Sequence, residues 1–155
     1  MKLTLDVQRI SRARAPTLAQ FRRWAMAALQ DRDRDAELSI RIVTATESRR
    51  LNARYRNQDK PTNVLSFPCP PPAALKLAAL GDLVICAQVV AREAKQQGKR
   101  ADAHWAHMTV HGVLHLLGYD HLKKHEAERM EALETDILAR LGYPDPYQLP
   151  QGKAA

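Results

Sequence analysis

The 155-residue chain is poor in the features that mark several protein classes. It has only 2 cysteines, Cys69 and Cys86, with no CxxC spacing, so a disulfide framework is not expected and both read as small apolar residues. Long apolar runs are missing: the longest stretch, LVICAQVVA, is broken by Gln88 and falls far short of the roughly 18 residues of a membrane span. The opening MKLTLDVQRI alternates apolar and polar residues and lacks the apolar block of a secretory signal, so a cytoplasmic location with no membrane partner is expected. No internal repeat, heptad run or linker-like segment divides the chain, and 17.5 kDa suits a single core. Acidic residues are scarce only in one region. Residues 1 to 60 carry 14 basic and 7 acidic side chains against 10 and 10 in the remainder, so the whole excess of +7 lies near the start. That asymmetry suggests a polyanionic partner.

What is present reads as a mixture of strands and helices. LTLDVQ and LSIRIVT (38–44) alternate and are rich in β-branched residues, and NVLSF and GDLVICA continue the strand pattern further on. TLAQFRRWAMAALQ, with Thr17 as its cap, has helical spacing, as does TESRRLNARYR, with Thr44 or Thr46 near its start. From Gln88 three helices are expected, ending near Gly98, Gly118 and Gly142. PCPPPAALKLAAL (68–80) is a long proline-rich connection, and the stretch 144–155 reads as a flexible C-terminal tail after a domain of residues 1–143. The class is α+β with about four strands.

The chemistry concentrates in HGVLHLLGYDH, residues 111–121. His111 and His115, four apart on a helix, project from one face and can share a metal ion; Gly118 can end the helix and let His121 fold back as a third ligand. Three neutral imidazoles leave a fourth position open, as a catalytic zinc site requires. His104 is about 10 Å from His111 along a helix axis, too far for one ion with bonds near 2 Å. Structural roles are assigned to His104, His107 and His125. The spacing matches HExxHxxGxxH of the metzincin proteases, except that Gly112 replaces the glutamate base, which removes peptide hydrolysis by that route.

HGVLHLLGYDH resembles the H-G-x-L-H-L-x-G-Y-D-H signature of the YbeY family, bacterial endoribonucleases and ribosomal RNA maturation factors. LNARYRNQDKPTNVLSFP (51–68) is similar to that family's L-N-x-x-Y-R block leading into T-D-V-L-S-F-P, and Gly81, Asp82 and LVI are similar to its G-D-[IL]-x-I strand. Asn63 stands where the family usually has Asp, and Asn57 where Gly is common. The resemblance implies a zincin-like α+β domain with a mixed four-stranded sheet and about five helices. It also implies zinc on His111, His115 and His121, and a need for Arg56 in activity.

The function so implied is cleavage of single-stranded RNA in ribosomal RNA maturation and ribosome quality control, with one Zn(2+) and with ribosomal RNA and ribosomal proteins as partners; no DNA is expected. Arg56, at the helix end before the NVLSF strand, would grip the scissile phosphate, and the basic residues of the first 60 would hold the backbone. His111 and Asp120 complete the catalytic candidates. With Gly112 at the protease position, the base is left open among Asp120, a 2′-hydroxyl and zinc-bound hydroxide; Asp120 could instead fix a histidine tautomer. The alternative is a non-enzymatic assembly factor, braced by zinc, that binds ribosomal RNA or a ribosomal protein.

Overall fold

The computed structural model describes residues 1–69 and 78–148. In chain order these form β1 (Leu3–Arg9), α1 (Leu18–Ala28), β2 (Ala36–Val43), α2 (Ala45–Arg56), β3 (Val64–Pro68), β4 (Ala79–Cys86), α3 (Ala87–Gln97), α4 (Ala101–Leu116) and α5 (Lys124–Arg140). The expected α+β architecture is present: five helices accompany one four-stranded sheet among the described residues. Pro70, Pro71 and Pro72 of the expected long connection, and the end of the tail from 149, lie outside the described residues. No helix among the described residues is long and apolar enough to cross a membrane.

The sheet is mixed, with strand order β1-β2-β4-β3; β1, β2 and β4 run parallel, and β3 pairs antiparallel with β4 at the edge. Strand periodicity sorts the side chains between two faces. Leu38, Ile40, Ile42, Leu83 and Ile85 enter the main core with Phe21, Trp24 and Trp105. Val43, Val84 and Cys86 point the other way and pack with Leu65, Val89 and the Leu51 side chain of α2. Pro68 ends β3, where an edge strand tolerates a missing N–H, so the structure places it in a strand rather than in the connection.

Local chemistry sets the helix ends. At α1, Thr17 Oγ1 accepts from the Gln20 backbone N–H at 3.2 Å, and Gln20 Oε1 accepts from the Thr17 backbone N–H at 2.9 Å. This is a reciprocal capping box. At α2 the cap is Thr44, whose Oγ1 accepts from the Glu47 N–H at 3.2 Å; Thr46 lies inside the helix. Asn57 ends α2 in the left-handed region, φ 61°, so Arg56 is the last helical residue before the chain turns toward β3.

Helix α4 runs through the middle, in contact with α1, α3, α5, β3 and β4, which explains why it is apolar nearly all round. It approaches the sheet closely at Gly112. A Cβ there would lie 2.7 Å from Leu83 Cδ2 and 3.3 Å from Val64 Cγ2, and Ser66 Oγ donates to the Gly112 carbonyl at 3.1 Å. The glycine lets the histidine-bearing helix lie flat against β3 and β4.

Candidate metal centre

His111 and His115 project one turn apart from the last turns of α4, with ring centroids 4.6 Å apart. The helix closes through a paired hydrogen-bond motif: the Gly118 N–H donates to the His115 carbonyl and the Tyr119 N–H to the Leu114 carbonyl, each at 3.0 Å. Gly118 has φ 103°, which a side chain would resist, and the chain reverses there. Asp120 Oδ1 then accepts from the His121 backbone N–H at 2.7 Å, fixing the turn. His121 folds back so that its Nδ1 is 3.1 Å from His115 Nε2. The three expected ligands therefore come together, with ligand atoms all within 4.8 Å of one another.

The His115–His121 pair has the spacing that a tetrahedral ion asks of two ligands. Bonds of about 2 Å in a tetrahedron separate two nitrogens by about 3.3 Å, close to the His115–His121 separation. Burial, helped by the neighbouring His111 and His121 rings, holds the His115 pKa below its ordinary value, which favours the neutral ring that binds metal.

Behind His111 lies a group that sequence reasoning missed. Glu134 of α5 is fully buried, and its carboxylate meets three partners: His111 Nδ1, the Tyr147 hydroxyl, and His107 Nε2 at 3.3 Å. Burial alone would raise its pKa, but the hydrogen bonds from His107 and His111 outweigh that and lower it to about 2. A carboxylate only accepts, so both rings carry a proton on the nitrogen that faces it. His107 Nδ1 is buried without a partner, as suits the lone-pair nitrogen of a neutral ring, and burial likewise lowers the His107 pKa. His107, His111 and Glu134 form a second group of atoms close enough to hold a metal ion. The clue in the sequence is that Glu134 shares the apolar stripe of α5 with Met130, Ile137 and Leu138. His104, by contrast, is a buried structural residue whose Nε2 meets Glu93 Oε1 at 2.8 Å.

Because the Glu134 pKa lies below its ordinary 4.5, its contribution to stability is present above that value and is lost as pH falls toward about 2. Acid unfolding of the metal-free protein, followed by far-UV circular dichroism, should steepen below pH 4.5, and Glu134→Gln should flatten that limb.

His111, His115 and His121 line a cleft of about 620 Å³ together with Arg56, Asn63, Ser66 and Asp120. The Arg56 Nη2 donates to the Ser66 carbonyl at 2.8 Å and Nη1 to the Tyr55 carbonyl at 3.1 Å, while its guanidinium carbon sits 5.2 Å from the centre of the Phe67 ring. Asn63 donates to Glu93 at 3.1 Å. Asp120 makes its hydrogen bond to a backbone N–H rather than to an imidazole. Of the tail, residues 144–148 are described, and they bring Tyr147 against Glu134 and His107.

The family model described as "Endoribonuclease YbeY" matches residues 6–142. Over 146 residues the chain is 57% identical to the Endoribonuclease YbeY of Pseudomonas entomophila, covering 94% of this chain and 93% of that protein. It is 56% identical to that of Pseudomonas syringae pv. tomato, covering 88% of that protein. Its fold is similar to the solution structure of TM1509 from Thermotoga maritima, with a TM-score of 0.59 at 21% identity, covering 94% of this chain and 99% of that one.

Proposed function

The chain belongs to the endoribonuclease YbeY family, and from that premise we propose that it is a zinc-dependent endoribonuclease that cuts single-stranded RNA in the maturation and quality control of ribosomal RNA. It takes one Zn(2+) on His111, His115 and His121. The catalytic unit is residues 1–143, followed by a tail at 144–155, and the protein works in the cytoplasm on ribosomal RNA with ribosomal proteins nearby. The observation that carries this reading is the single cleft shared by the three imidazoles and Arg56.

Each residue has a separate task. Arg56 has five N–H donors, and the two anchored on the Ser66 and Tyr55 carbonyls fix the fork before substrate arrives. The remaining donors grip the scissile phosphate and stabilise the charge that develops on it. His111, His115 and His121 would hold the zinc, which would supply either Lewis acidity or a bound water of lowered pKa. Asp120 keeps one carboxylate oxygen on the His121 N–H and has the other available to take a proton at the cleft wall. The RNA backbone is held by the surplus arginines, without reading of sequence. Part of that surplus is used internally: Arg49 pairs with Asp59 at 2.8 Å and Arg41 with Glu47 at 2.8 Å.

The test is zinc content and cleavage of a single-stranded RNA by the parent and by His115→Ala, purified identically. The variant should lose both zinc and cleavage. A variant that cuts as fast as the parent would remove the site assignment, and a parent that takes up no zinc when it is supplied would remove the coordination.

A further inference from the structure

The geometry points to Glu134, with the Tyr147 hydroxyl behind it, as a positioning residue that fixes His111 in its Nδ1–H tautomer and so offers the Nε2 lone pair to the metal. The inference rests on the reading of His111, His115 and His121 as ligands, and it adds two residues far away in sequence. A neutral imidazole has one N–H and one lone pair, and the partner of one nitrogen decides the role of the other. Glu134 is an acceptor with no exposure to water, so the nitrogen it meets, His111 Nδ1, must carry the hydrogen. Nε2 is then the only lone pair left on that ring.

The carboxylate is itself held in place. His107 Nε2 approaches Glu134 Oε2 at 3.3 Å from α4, and the Tyr147 hydroxyl donates to the same oxygen from beyond the end of α5. Glu134 is thus bracketed by a helix on one side and by the chain after α5 on the other, and the His111 ring takes its orientation from that bracket. The same three residues, His107, His111 and Glu134, could in principle hold an ion themselves. Two features argue against it. Both nitrogens that face the carboxylate would have to give up their protons, and the Tyr147 hydroxyl already occupies Oε2. The buried group is a hydrogen-bonded support for the exposed one. Tyr147 thereby links the segment after α5 to the metal centre.

Two readouts test this on the full-length protein: the His111 tautomer in the metal-free state, from long-range nitrogen-15 NMR correlations, and zinc affinity by competition with a chelator. In the parent His111 should be protonated at Nδ1. Glu134→Ala should release the ring to the Nε2–H form and weaken zinc about 10–100-fold, the usual cost of losing a hydrogen-bond partner of a metal-binding histidine. Glu134→Gln, whose amide oxygen can still accept from Nδ1–H, should recover part of that loss. Tyr147→Phe, which removes one hydroxyl at the edge of the bracket, should weaken zinc several-fold and carries the test if the Glu134 variants do not fold. A parent His111 protonated at Nε2 while zinc binds normally would overturn this inference alone, as would Glu134→Ala and Tyr147→Phe both binding zinc as tightly as the parent. A parent that holds the Nδ1–H form but takes no zinc would overturn the ligand assignment while leaving the hold of Glu134 on the ring in place.

Discussion

Arg56→Ala is expected to cut single-stranded RNA about 10²–10³-fold more slowly than the parent, the range seen when one preorganised donor to a developing negative charge is removed. Its zinc content should not change. Arg56 lines the cleft with the histidines, but its own hydrogen bonds go to the Ser66 and Tyr55 carbonyls, and among the described residues it forms no ion pair. Its charge is therefore not spent inside the protein, and its fork is already ordered by two carbonyls and by the Phe67 ring. Arg56→Lys should not restore the rate, because an ammonium cannot make the same planar two-point contact. Single-turnover cleavage with metal analysis on the same samples checks this. An unchanged rate in Arg56→Ala would detach the arginine from the chemistry.

Gly112→Glu is expected to cost more than about 4 kcal/mol, a large share of the roughly 5–15 kcal/mol that hold a domain together. The substitution would complete the HExxH pattern of the metzincins, yet it should give no protease. At this position the Cβ points at the Leu83 and Val64 side chains, with closest approaches of 2.7 and 3.3 Å, and Leu83 is fully buried, so making room for a longer side chain requires the core around it to repack. A carboxylate placed there would be buried without a partner. Gly112→Ala is milder. Its overpacking, about 1–3 kcal/mol, is offset by about 1 kcal/mol of helix propensity. Urea unfolding of the three proteins should therefore rank the parent above Ala and Ala far above Glu. A Gly112→Glu protein with the parent's midpoint would contradict the packing described for α4.

The readability of this chain depended on whether a feature was local. Thr17, Gly98, Gly118 and the spacing of His111 and His115 act over one or two helical turns, and the elements they mark are where the sequence places them. His121 was readable because the turn at Gly118 brings it back within a few residues. Glu134 and Tyr147 reach His111 across 23 residues and His107 across 40, and no short spacing reports such contacts. The trace that Glu134 leaves is an acid on an apolar stripe, which passes for an ordinary surface glutamate until the helix is packed. The charge count was legible as a sum but not in its use. Arg9, Arg22 and Arg23 donate to the carbonyls of Pro16, Leu3 and Leu141, so part of the basic excess serves the fold.

The central claim is that His111, His115 and His121, and no other protein group, hold the metal that RNA cleavage needs. X-ray absorption at the zinc edge of the zinc-loaded protein measures this most directly. The expected spectrum contains three imidazole nitrogens and no further protein donor, and it keeps that count in Glu134→Gln. A spectrum with a carboxylate, a sulfur or a fourth imidazole in the first coordination sphere would mean a closed, bracing site and would contradict the catalytic assignment.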